Sequence, residues 1–67
     1  MTEEINIKMK NADGHAISGA YKTGQGIITV RLSNGRSHRE QRDYRLMAEE
    51  HAMRMLLKLD REARGKS

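Results

Sequence analysis

The sequence contains no cysteine, no tryptophan and no phenylalanine, and its only aromatic residues are Tyr21 and Tyr44. Without cysteine there is no disulfide staple, zinc knuckle, iron–sulfur cluster or thiol nucleophile, and the redox compartment leaves no mark on the chain. Two rings are too few for modules that stack unpaired bases on several aromatic side chains. A platform of the RNA-recognition-motif or cold-shock kind is therefore excluded. No apolar run approaches the roughly 20 residues that span a bilayer, so no membrane partner is expected. Glu3 and Glu4 stand where a secretory or mitochondrial leader is basic, which points to the cytoplasm.

What is present suits one small domain. The chain has 67 residues, and a domain of this size buries only about 60% of the surface its unfolded form exposes. Thirteen Lys and Arg face nine Asp and Glu, a net charge of +4, and the chain is 33% charged and 36% hydrophobic. That balance fits a soluble globular domain rather than a disordered tail. The larger apolar side chains are five Ile, five Leu, five Met, one Val and the two Tyr. A core this thin usually needs a disulfide, a metal or a partner chain, and the first is closed. A homodimer or a protein partner is the expectation.

Hydrophobic periodicity divides the chain in two. Ile5, Ile7 and Met9 alternate with Asn6, Lys8 and Lys10, the period-2 pattern of a strand over about 5–10. Turn chemistry at Asn11-Ala12-Asp13-Gly14 leads to a second strand, about 16–22, with Ile17, Gly19 and Tyr21 on one face. Thr23-Gly24-Gln25-Gly26 makes the next turn. A third strand, about 27–33, sets Ile28, Val30 and Leu32 against Ile27, Thr29 and Arg31. Asn34-Gly35 is a strong hairpin signal, and the polar stretch of about 36–41 reads either as a fourth strand at a sheet edge or as a mobile arginine arm. The tandem hairpins imply an antiparallel meander.

From Tyr44 to Arg64 the period is helical, without Gly or Pro, which predicts a helix over about 44–64. Asp43 is the expected N-cap and Gly65 the expected C′ residue. Tyr44, Ala48, His51, Ala52, Met55, Leu56, Leu59 and Ala63 share one apolar face, with Met47 at its margin. That face should cover the sheet, giving an α+β fold of three or four antiparallel strands and one long C-terminal helix. Leu46, Met53 and Leu57 fall on the opposite side as a stripe, read either as ordinary surface hydrophobes or as a dimer or partner interface. Met53 is the methionine of that stripe, whereas Met55 belongs to the core face.

The positive charge is concentrated. Residues 1–14 carry two Lys against three acids, and residues 46–67 carry five bases against four acids. Residues 15–45 hold Lys22 and five Arg against Glu40 and Asp43, a local charge of +4. Arg31, Arg36, Arg39, Arg42 and Arg45 lie on or just after the second hairpin, and arginine favours bidentate contacts to phosphates and base edges. A basic hairpin can enter a DNA major groove or lie along a phosphate backbone. It can equally serve as a charged edge that blocks strand addition.

The run from Gly26 to His38, Gly-Ile-Ile-Thr-Val-Arg-Leu-Ser-Asn-Gly-Arg-Ser-His, followed by Ala48-Glu49-Glu50-His51-Ala52, resembles the integrase arm-binding and plant ethylene-response type of domain. The resemblance covers about half the chain and implies a sheet, backed by a C-terminal helix, that reads DNA. The aromatic residues which that family places in its strands are missing here. The second half is also similar in outline to a double-stranded RNA-binding domain, although Arg45-Leu46-Met47 stands where that family has lysines.

Other constellations carry no chemistry. Gly24-Gln25-Gly26 is followed by a strand and not by the helix a phosphate loop needs, so it reads as a plain turn. His15, His38 and His51 are too scattered for a metal motif, and His51 reads as a core-boundary residue with one satisfied nitrogen. Glu49 and Glu50 are adjacent and diverge by about 100° on a helix, poorly placed for paired acid–base work. The serines lack a nucleophile-elbow context. The sequence thus predicts a non-enzymatic protein without metal, cofactor or small-molecule substrate. It is expected to bind DNA or RNA through Arg31, Arg36, His38, Arg39, Arg42 and Arg45. The alternative is a protein-interaction or inhibitor module using Leu46, Met53 and Leu57.

Overall fold

A computed structural model describes residues 3–65; Lys66 and Ser67, which follow the predicted helix, lie outside the described residues. Four strands, β1 (Ile5–Lys10), β2 (Ala16–Gly24), β3 (Ile27–Leu32) and β4 (Ser37–Gln41), precede one helix, α1 (Ala48–Arg64). The strands form a single antiparallel sheet in the order β1-β2-β3-β4, the meander that tandem hairpins dictate. The helix crosses one face of this sheet, chiefly over β3 with β2 and β4 beside it. Among the described residues the other face carries no second layer.

Side-chain parity decides which residues meet the helix. Ile7, Ile17, Tyr21, Ile28, Val30 and Leu32 point under it and are buried with Ala52, Met55, Leu56 and Leu59. Ile28, Val30 and Leu56 are the largest side chains fully removed from water, each worth about 1.5–3 kcal/mol of burial. Gly19 opposes Leu56: a Cβ at Gly19 would lie 2.9 Å from the leucine side chain and 2.6 Å from the carbonyl oxygen of Arg31. The helix reaches the sheet closely because that residue has no side chain.

The three turns fix the register. Ala12-Asp13-Gly14 and Ser33-Asn34-Gly35 are three-residue loops, each closed by a hydrogen bond from the glycine N–H to the residue three before it. Gly14 and Gly35 take φ of 85° and 95°, completing a type I turn with a bulge. The Asn34-Gly35 signal is therefore correct as a hairpin but not as a two-residue loop. A two-residue loop would set Arg31 opposite His38. The extra residue sets Arg31 opposite Ser37 and Val30 opposite His38. Between β2 and β3, Gln25 and Gly26 both have positive φ, 55° and 77°, and form a tight two-residue loop.

The helix begins at Ala48, four residues later than the pattern predicts. The cause is local polar competition. Asp43 accepts hydrogen bonds at Oδ1 from the Arg45 N–H, and its carbonyl accepts from the Leu46 N–H at 3.1 Å. Arg42 donates to the carbonyls of Asp43 and Leu46, and its guanidinium stacks 5.1 Å from the Tyr44 ring centre. Residues 43–46 are thereby closed into a turn, and Tyr44 is 76% exposed instead of joining the core. Met47, extended at ψ 151°, occupies the N-cap place expected for Asp43 and supplies no side-chain cap. Gly65 follows the helix at φ −86°, so its left-handed freedom is not used.

The outer stripe does not persist as one exposed surface. Leu46 lies half-buried in the turn before the helix, and Met53 packs partly against the core. Leu57 alone of the three stays exposed, at 37%.

Candidate nucleic-acid interface

The uncovered face of the sheet is built from the alternate residues of all four strands. Cross-strand register arranges them in rows: Lys10 beside Ala16; Lys8 beside Ser18; Asn6, Ala20, Arg31 and Ser37; Lys22, Thr29 and Arg39; and, at the far end, Gly24, the exposed Ile27 and Gln41. Five cations, Lys8, Lys10, Lys22, Arg31 and Arg39, stand exposed on this face. Between these cations lie the short side chains of Ala16, Ser18, Ala20, Thr29 and Ser37. Strand spacings of about 4.8 Å and two-residue repeats of about 6.7 Å make the span from Lys10 to Arg39 about 25 Å along the sheet diagonal.

Charge on this face is nearly all of one sign. Glu4 precedes β1 with the same parity, and its Oε1 accepts a hydrogen bond from Nη2 of Arg31 at 2.7 Å. Among the described residues, no carboxylate lies within ion-pair distance of Lys8, Lys10, Lys22 or Arg39. The remaining described acids sit on the helix, in turns, on the helix side of β4 or, for Glu3, ahead of β1 with the opposite parity to Glu4.

The residues singled out from sequence divide accordingly. Arg31 and Arg39 share the open face, whereas Arg36 is exposed at the end of the β3–β4 turn, where its carbonyl accepts from the Leu32 N–H and the register gives it the helix-side parity of Leu32. His38 does not join them: the Gly35 bulge turns it to the helix side, with Nε2 3.5 Å from Oε1 of Glu40. Arg42 is engaged with two carbonyls and a tyrosine ring. Arg45 is paired through both Nε and Nη2 with Asp43 at 3.1 Å, and this contact holds the Asp43 carboxyl down to about 2 and raises the arginine. Arg42 and Arg45 thus organise the turn before α1.

Lys8, Lys10 and Lys22 complete the face and were not among the sequence candidates. Their signal was present as alternation: each neighbours the apolar residues Ile7, Met9 or Tyr21 and so must point the other way. A tally by segment hides them, since Lys8 and Lys10 belong to a stretch of net negative charge.

A second polar cluster lies under the helix. His51 is 4% exposed and has both ring nitrogens bonded, one more than its boundary position predicts. Nδ1 accepts from the Asp43 N–H at 3.2 Å, so Nε2 carries the proton it donates to Oε2 of Glu40 at 2.8 Å. The hydrogen bond from His51 holds the Glu40 carboxyl below its ordinary value near 4.5. This bond ties edge strand β4 and the following turn to the first turn of α1. Among the described residues no group of three or more His, Cys, Asp or Glu is placed to hold a metal ion. No helix among them is long and apolar enough to cross a membrane. Comparison with protein-family models, with curated proteins and with solved structures finds no match to this chain.

Proposed function

We propose that the protein is a small non-enzymatic module that binds double-stranded nucleic acid by its open sheet face. The observation that carries this reading is the one-signed array of Lys8, Lys10, Lys22, Arg31 and Arg39. An antiparallel sheet with one wet face needs polar residues there, but solvation alone is served equally by both signs. Five cations against one carboxylate instead match a polyanion. The short side chains of Ala16, Ser18, Ala20, Thr29 and Ser37 allow a phosphate backbone to approach the sheet closely.

The form of nucleic acid follows from what the face lacks. Tyr21 is buried beneath the helix and Tyr44 lies in the turn before it, so unpaired bases find no ring to stack on. A duplex offers a rigid array of phosphates to several cations at once and loses less freedom on binding than a flexible strand. In this reading Lys8, Lys10 and Lys22 contact phosphates, and Arg31 and Arg39 add bidentate contacts.

The test is fluorescence anisotropy with duplex DNA, duplex RNA and a single strand at several salt concentrations. Four to five phosphate contacts predict a log–log salt slope of about −3.5 to −4.5 on B-form DNA. Replacing Lys8, Lys22 and Arg39 by Gln should lower duplex affinity on the order of 100-fold at low salt and flatten the slope by about 2.7. Unchanged affinity in that variant, or no duplex binding at low salt, overturns the reading. The alternative of a protein contact through α1 keeps Leu57 as its exposed residue, and a Leu57→Glu change that dissociates a dimer would favour it.

A further inference from the structure

The carboxylate on the open face enters from the start of edge strand β1 and reaches across to Arg31. Glu4 and Arg31 are separated by 27 positions in sequence and joined by a 2.7 Å hydrogen bond. Arg31 occupies the middle of the cationic diagonal, with Asn6, Ala20 and Ser37 as its row neighbours. Neutral side chains fill that row, so Arg31 is the one charged contact it offers. Glu4 has taken that contact.

The chemistry of the pair is that of an anion site already filled. A guanidinium fork accepts a carboxylate or a phosphate by the same charge-assisted hydrogen bonds, so Oε1 of Glu4 stands in for a phosphate oxygen. The pair is also exchangeable. Its side chains are 55% and 36% exposed, and ion pairs so open to water are weak. Glu3, its chain neighbour, makes no such bond among the described contacts, which singles out one carboxylate rather than an acidic N-terminal segment.

We infer that Glu4 is an internal competitor for the anion site at Arg31, displaced when a duplex phosphate takes its place. The inference rests on the proposed function and adds its regulation. Binding splits the Glu4–Arg31 pair and leaves the freed carboxylate beside the ligand's own negative charge. Glu4 therefore works against the duplex twice, by holding Arg31 and by repelling the phosphate. An isolated surface carboxylate would do only the second.

A double-mutant cycle separates these effects. With a short duplex DNA of generic sequence, Glu4→Gln should raise affinity about two- to five-fold, the range set by an exposed ion pair. Glu3→Gln makes the same change in net charge without touching Arg31 and should raise it clearly less. In an Arg31→Gln background, the Glu4→Gln gain should fall to that of Glu3→Gln. Melting temperatures of all variants should agree, since both groups are solvent-exposed.

Equal gains from Glu3→Gln and Glu4→Gln would show a general charge effect and overturn the inference. A Glu4→Gln gain that survives intact in the Arg31→Gln background would overturn it as well. Duplex binding that depends on Lys8, Lys22 and Arg39 but ignores Glu4 would defeat the competitor and leave the function standing. Failure of the unaltered protein and of Glu4→Gln to bind any duplex at low salt would defeat both.

Discussion

The two faces of the sheet share one backbone and have opposite chemistries. Beneath the helix, Ile7, Ile17, Tyr21, Ile28, Val30 and Leu32 exclude water. One residue along each strand, Lys8, Lys22, Thr29 and Arg31 face outward with no layer above them. The difference teaches that folding and recognition are assigned by parity rather than by segment. A substitution at an odd position of β1 or β2 acts on stability, and its even neighbour acts on charge. In β3 the parity is reversed, because the Gln25-Gly26 loop places Tyr21 opposite Val30.

The largest effect that would break this division lies at Leu56, which is fully buried against Gly19. Leu56→Ala should cost about 2–5 kcal/mol. A domain of this size is held by only about 3–10 kcal/mol in all, so the variant should be marginal or unfolded at room temperature. Replacing Lys8, Lys22 and Arg39 by Gln should leave stability within about 0.5 kcal/mol per site. Urea melts of the two proteins check the contrast. If the open-face variant loses as much as Leu56→Ala, the faces are not energetically separate.

The same contrast explains what the sequence made legible. Alternation in Ile5–Met9 and Ile27–Leu32, turn residues at each interval and a change to helical period are local signals, and they carry the α+β meander and its core. Loop geometry was less legible. Asn34-Gly35 is compatible with a two-residue loop or with a bulge, and one residue decides whether His38 or Arg39 faces outward. The helix start was hidden for a related reason. Tyr44, Leu46 and Met47 fit a helical period, but the polar groups of Arg42 and Asp43 close a turn that periodicity does not register. Of the candidate site, Arg31 and Arg39 were found by charge density, while Lys8, Lys10 and Lys22 needed the strands to be laid side by side.

A smaller effect sharpens the boundary at β4, whose five residues are all exposed. Its helix-side tie is the bond from His51 to Glu40. Removing the imidazole in His51→Ala also strips the Asp43 N–H of its acceptor and should cost about 1–3 kcal/mol. Glu40 and Asp43 both have lowered carboxyl values, the first through His51 and the second through Arg45, which brings Asp43 to about 2. A depressed acid contributes stability above its unfolded value and loses it as pH falls through the folded one. The melting temperature should therefore decline below the ordinary carboxyl values of 4.5 and 3.8, with the Asp43 share lost as pH falls toward about 2. Glu40→Gln should flatten the upper part of that decline. An acid limb identical in Glu40→Gln would mean that the tie has no pH-dependent role.

The smallest effect tests a position that belongs to neither face. Gln25 holds φ of 55° in the β2–β3 loop, a conformation unfavourable for most residues with a side chain. Asparagine tolerates it best, and Asn-Gly is the preferred pair for a two-residue loop with positive φ at both positions. Gln25→Asn should raise stability by about 0.4–1 kcal/mol and leave duplex affinity unchanged. Gln25→Val, β-branched and strained there, should lower it. The pair of opposite shifts matters more than either alone, because they isolate backbone strain from packing and from charge. Stabilisation by Val, or loss of duplex binding in the Asn variant, would show that this loop is coupled to the open face after all.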